Sequence, residues 1–213
     1  MANTNFDELH TLAKPEQKKR KSIPFEQYFG EMEISEEQKK RRIALAEQIM
    51  IIFLMYFVRF ADEDDYGDYE AMIVEKFTEV ANGYMGLAVA TAYITDHARK
   101  LAEEVTEVTE RRAEEDEYWT SEDRATLIAE EQANYIAEYD ELVDAVNDGC
   151  TLKTWHTMQD NRVRDTHVAV DGQTISIFDP FVLDGGELMF PGDDSLGVDP
   201  SELVNCRCHC SYT

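Results

Sequence analysis

Residues 35–60, SEEQKKRRIALAEQIMIIFLMYFVRF, decide the fold class. Ser35 followed three residues later by Gln38 forms a capping box, in which the hydroxyl takes the N3 amide and the glutamine reaches back to the cap. No Pro or Gly interrupts the chain from Ser35 to Gly67, so the signal predicts a helix running to about Phe60. Its early part carries Ile43, Leu45 and Ala46 on one side, whereas Ile49 to Val58 is apolar on every side. Such a segment has to be enclosed, either as the central helix of a bundle or by another chain, and in the second case it would drive self-association. Ten apolar residues fall short of the roughly 20 that cross a bilayer, so no membrane partner is expected.

Downstream, the acidic break Asp62-Glu63-Asp64-Asp65 and Gly67 lead into a second helical region from about Asp68 to Glu117. Met72, Phe77, Val80, Ala81, Tyr84, Leu87, Ala88, Thr91 and Ile94 recur at helical steps and predict one packing stripe. Gly83 and Gly86 read as points of close backbone approach, with a bend there. Leu101, Val105, Val108, Arg112 and Glu115 trace a thinner stripe among many acids, the pattern of an exposed or partner-bound helix. A third helix is predicted from Thr120 or Ser121 to about Asn147, with Ala125, Ile128, Ala129, Gln132, Ile136, Tyr139, Val143 and Val146 inward and Gly149 as its stop. Upstream, residues 1–34 contain Pro15, Pro24 and Gly30 and no long period, which reads as an arm or linker with a short helical piece around Phe25 to Phe29. The expected architecture is mainly α: a long-helix bundle over residues 35–149, followed by a small loop-rich α+β C-terminal module over 150–213.

The change of character after Cys150 rests on turn chemistry. Thr174 to Phe178 alternates as a short strand, Asp171-Gly172 and Asp184-Gly185-Gly186 are turn signals, and Pro180, Pro191 and Pro200 cut the rest into short pieces. A module with so little regular structure has a small core, which calls for a metal clip or tight docking to the helices. Trp155 reads as its core anchor, and Asp193-Asp194 after Pro191-Gly192 as a turn, since the spaced acids of a calcium hand are absent.

Three of the four cysteines lie in Cys206-Arg207-Cys208-His209-Cys210. In an extended segment the three thiols share one face, with Arg207 and His209 on the other. A disulfide between neighbours two apart is geometrically awkward. Three states stay open: free buried thiols, a long-range disulfide, or a structural zinc. The zinc set would be Cys206, Cys208, His167 and His156, with Cys150 and Cys210 as alternative ligands. Four cysteines in a chain of 213 residues do not demand an oxidising compartment. The densest polar stretch, residues 155–167, offers a second chemistry: a metal-assisted nuclease or hydrolase with His167 as base, Arg164 or Arg162 on an anion, and Asp160 capping the turn. The same residues equally suit a hydrogen-bond network that fixes loops, and no nucleophile motif accompanies them.

The net charge of −25 is uneven: residues 1–60 hold ten of the twenty Lys and Arg against nine acids, and the rest of the chain holds ten against thirty-six. That excess repels phosphate backbones and disfavours direct DNA binding. The basic patches Lys18-Lys19-Arg20-Lys21 and Lys39-Lys40-Arg41-Arg42 read as solvated charge near a helix start, with contacts to an acidic partner or to nucleic acid as the alternative.

Four words in the C-terminal part occur together in this order: LKTWHTMQDNRVRDTHVAVDG (152–172), FDPF (178–181), GGELMFPGD (185–193) and NCRCHC (205–210). With the preceding helix RATLIAEEQANYIAEYDELVDAV (124–146), they resemble the MuF-like phage head morphogenesis proteins, also called minor head or minor capsid proteins. Trp155, Asp160, Arg164, His167, Asp171, Gly172, Phe181, Pro191, Gly192, Cys206, Arg207 and Cys208 stand at the recurring positions. The resemblance implies a structural rather than enzymatic protein of the virion head, made in the host cytoplasm during assembly. It also implies several copies per particle associated with the portal or major capsid protein, with a role in head morphogenesis or genome delivery.

Overall fold

A computed structural model describes residues 21–62, 67–87 and 91–213. Most of the first basic patch, residues 63–65 of the acidic break, and Ala88 of the predicted stripe lie outside them. Among the described residues six α-helices come first or intervene: α1 (Phe25–Gly30), α2 (Glu36–Phe60), α3 (Tyr69–Met85), α4 (Ala92–Arg112), α5 (Glu122–Asn147) and the single turn α6 (Asp165–Val168). Five short strands, β1 (Leu152–His156), β2 (Thr174–Ser176), β3 (Phe181–Leu183), β4 (Gly186–Leu188) and β5 (His209–Tyr212), complete the chain. The protein is thus a helical bundle carrying a small α+β module.

The capping box at Ser35 forms as its sequence predicts, with both reciprocal bonds present. Helix α2 packs against α1, α3 and α5. Its apolar segment divides in two: Ile49, Ile52, Phe53, Tyr56 and Phe57 are buried, while Ile51, Met55 and Val58 are exposed. By length and composition α2 could cross a membrane, but here one side of it fills the bundle core. The segment before it is not a free arm, because Phe25, Tyr28, Phe29 and Met32 are buried in that same core. Pro24 supplies the first carbonyl of α1, and Ser22 binds Asp123 at the start of α5.

The second helical region is two helices, not one. Gly86 adopts a left-handed conformation (φ 66°), which L-residues other than Gly reach only with strain, and it ends α3. Thr91, expected within the stripe, instead caps α4 through its side chain, accepting from the Ile94 amide. Gly83 and Gly86 do not mark close backbone approach: a Cβ at either would meet nothing within 4 Å. The stripe of α4 is inward too, since Leu101, Val105 and Val108 are buried and Arg112 lies over the Trp119 ring at 4.0 Å.

Helix α5 starts at the Ser121 cap and ends before Gly149, as its signals predict. Its burial was not predicted, because the helix is enclosed nearly all round from Arg124 to Glu138. One side joins the bundle core through Ala125, Ile128, Ala129 and Ile136. The other, carrying Glu130, Asn134 and Glu138, is covered in part by the C-terminal module.

In the module, β1 is the centre of a three-stranded antiparallel sheet in the order β2-β1-β5, with Trp155 opposite Cys210 and His156 opposite His209. Strands β3 and β4 form a separate hairpin. Its turn needs glycine at 186, where φ is 134° and a Cβ would lie 2.9 Å from the Val198 Cα. The predicted strand at Thr174 is shorter than expected, leaving Phe178 exposed. Trp155, Val170, Phe181, Leu188, Cys206, Cys208 and Cys210 are among the few residues of the module's core.

Candidate functional site

The three C-terminal thiols do share one face, all within the module's core, while Arg207 and His209 turn elsewhere. Arg207 binds both oxygens of Asp160 at 2.9 and 2.6 Å and reaches Glu31 at 3.4 Å. His209 stacks on His156, ring centroids 5.1 Å apart. Among the described residues one cluster of three histidine or cysteine ligands converges: His167, Cys206 and Cys208. The Nδ1 of His167 lies 3.4 Å from the Cys208 Sγ and 3.7 Å from the Cys206 Sγ. The opposite ring nitrogen, Nε2, stands 3.0 Å from a carboxylate oxygen of Glu202. That carboxylate also accepts from the Thr166 hydroxyl at 2.8 Å. His167 is 1% exposed.

Local structure explains the convergence. Arg164 stands at the N-cap of α6 and its guanidinium donates to the Val204 carbonyl, which ties the His167 turn to the segment that leads into the cysteines. Asp199 caps a 3-10 turn, Pro200–Glu202, that delivers Glu202. Asn205 takes the left-handed conformation (φ 55°) that Asn tolerates better than most residues, and turns the chain so that Cys206 and Cys208 face His167. Helix α5 then holds the cysteine segment by its backbone. Glu131 accepts the Asn205 amide at 2.6 Å, Asn134 donates to the Cys208 carbonyl at 3.1 Å, and Glu138 accepts the Cys210 amide at 2.9 Å. Arg42 of α2 is the counter-charge, 2.6 Å from both Glu138 and Glu141 and fully buried. Burial alone would lower its pKa, but the two carboxylates outweigh that and raise it.

The thiols divide in protonation. The hydrogen bond from Cys208 acts most strongly on Cys206 and, with His167 and Arg164, holds it well below the usual thiol range against burial. The same bond, burial and the Cys206 charge push Cys208 well above it. Burial opposes protonation of His167, yet the adjoining Cys206 raises its pKa.

The structure brings together only part of the predicted set. His156 is on the far face of β1, bonded to the Ser211 hydroxyl at 2.7 Å. Cys150 sits at the end of α5, its amide bonded to the Ala145 carbonyl, and Cys210 packs near Lys153, Glu138 and Tyr212. All four cysteines are free thiols. Asp160 caps its turn as expected, accepting the Arg162 amide at 2.9 Å, and its charge is matched by Arg207. His167 and Arg164 do not converge on an open cleft: one is enclosed and the other is bound to a backbone carbonyl. Glu202 was missed in the sequence, where its only signal is the Asp-Pro start of a short turn.

A second junction fastens the hairpin to the helices. Asp193 accepts the Tyr93 hydroxyl at 2.6 Å and the Met189 and Ser195 amides at 2.8 and 2.9 Å. Asp194 meets His97 at 3.5 Å and Lys100 at 3.2 Å. Burial would raise the Asp194 carboxyl, but these two partners bring it down to about 2. Beside this junction lies a cavity of about 240 Å³ bordered by His97, Leu101, Gln132, Tyr135, Gly192 and Cys206.

Residues 92–211 match the family described as phage Mu protein F like protein. The chain belongs to that family. The match begins at the first residue of α4, well before the words that carried the resemblance, and runs to within one residue of the end of β5. In this Mu F-like chain the matched stretch is therefore α4, α5 and the whole module, the parts joined by the contacts above. No curated protein and no solved structure matches the chain.

Proposed function

We propose that this Mu F-like chain is a minor head protein with a structural role in head assembly, docked at the portal or the inner face of the capsid. One observation carries the reading: the family match covers a unit in which the buried Asn134 and Glu138 of α5 hold the cysteine segment of the module by its backbone. Such a unit suits a rigid docking body, with recognition by shape and burial. The exposed Ile51, Met55 and Val58 stripe of α2, outside the matched stretch, is an apolar surface available to a portal or major capsid neighbour. The acidity of residues 61–213 argues for protein partners over DNA. Enclosure of His167 weighs against the hydrolase reading.

The test is genetic and biochemical. Stopping translation of this chain in its phage should give heads that assemble or package poorly, and a tagged copy should co-purify with portal-containing particles. Normal yields of filled, infectious heads without the chain, or its absence from purified particles, would overturn the proposal.

A further inference from the structure

We propose that His167, Cys206 and Cys208 bind one zinc ion, as a staple that locks the module to itself. Zinc held by two thiolates and an imidazole places its sulfur and nitrogen ligands about 3.6 Å apart, from bonds of about 2.3 and 2.0–2.1 Å at a tetrahedral angle. The observed Nδ1 to Sγ separations, 3.4 and 3.7 Å, bracket that edge.

The surroundings support the same assignment. A metal-bound histidine commonly gives its other N–H to a carboxylate, which fixes the ring and strengthens it as a ligand. Glu202 is within reach of that role: a buried carboxylate oxygen lies 3.0 Å from Nε2, outside hydrogen-bonding geometry in this arrangement. The Trp155 indole N–H is fully buried and lies against the Cys208 sulfur. A metal-bound thiolate would be the stronger acceptor for it. Two soft sulfur ligands select zinc over magnesium or calcium. Cys206 also borders the cavity, so in the proposed site a water from that side would take the fourth position. The sulfurs come from one segment and the imidazole from a turn 39 and 41 residues earlier, so the ion closes a long loop across a core of few residues. This differs from the ligand set drawn from sequence: His156 and Cys150 take no part, and Cys210 is a core thiol.

The experiment is metal analysis of the full chain, purified reduced, loaded with zinc and dialysed, by native mass spectrometry and elemental analysis. One zinc per chain is expected, released by a strong chelator with a fall in melting temperature. Cobalt substitution should give the charge-transfer absorption of thiolate ligands. Cys206→Ser and Cys208→Ser should lose stoichiometric zinc, and Glu202→Gln should weaken binding about 10- to 100-fold. Cys210→Ser and His156→Ala should each keep one zinc. Reduced wild-type chain that retains far less than one zinc per chain would overturn the proposal. So would Cys210→Ser or His156→Ala losing the metal as Cys208→Ser does. The wild-type stoichiometry decides even if a cysteine variant fails to fold, and it reads the metal site independently of any head partner.

Discussion

At the scale of single residues, the decisive features are charges placed where the sequence suggested none would be buried. Arg42 reads as one of four basic residues at a helix start, yet it is fully buried against Glu138. Removing one member of a buried ion pair leaves the other uncompensated, at about 3–5 kcal/mol. Arg42→Met should therefore lower stability by that order in urea unfolding, whereas Arg99→Met, at an exposed pair with Asp96, should change it by less than about 1 kcal/mol. Asp194 supplies a pH test. Its folded pKa of about 2 lies below the ordinary value of 3.8, so its contribution is fully present above about pH 4 and is lost as pH falls toward 2. Asp194→Asn should be less stable than the parent at pH 7 by about 2 kcal/mol, and the difference should vanish near pH 2, as followed by acid-dependent melting. Residue roles were legible where local chemistry sets them: Trp155 as the module's anchor, Asp160 as a turn cap, Ser35 with Gln38 as a capping box. The partners of Glu202 and His156 were not, because those depend on how strands register.

At the scale of elements, the helices were legible from their caps and periods, and the exception is instructive. The apolar repeat from Met72 to Ile94 continued in phase across Gly83 and Gly86, so periodicity alone predicted one long helix, while the real break lies in backbone conformation at Gly86. The two glycines, adjacent on paper, are physically opposite. Gly86→Ala forces a left-handed conformation and should cost about 1–2 kcal/mol. Gly83→Ala, exposed within α3 and with nothing within 4 Å of the new Cβ, should gain about 0.5–1 kcal/mol. Paired thermal melts of the two variants check the sign. Helix α5 shows the other limit of pattern reading. Its apolar stripe was visible, but a second buried side made of Glu130, Asn134 and Glu138 looks like solvent-facing polarity until the module that covers part of it is in place.

At the scale of the whole molecule, the order of the parts was readable and their dependence on one another was not. A helical bundle followed by a loop-rich module follows from the turn signals after Cys150. That the two share α5 as a common wall does not, since the bonds joining them connect residues tens of positions apart. The family match respects this arrangement by starting at α4 rather than at the module. Glu31 carries the arrangement furthest. It lies just beyond α1 and is bound by Arg162 at 2.8 Å and Arg207 at 3.4 Å, residues 131 and 176 positions away. Tension applied near residue 31 therefore reaches the cysteine segment through one carboxylate, bypassing every long helix. A neighbour that grips the beginning of the described chain has a direct mechanical lever on its far end.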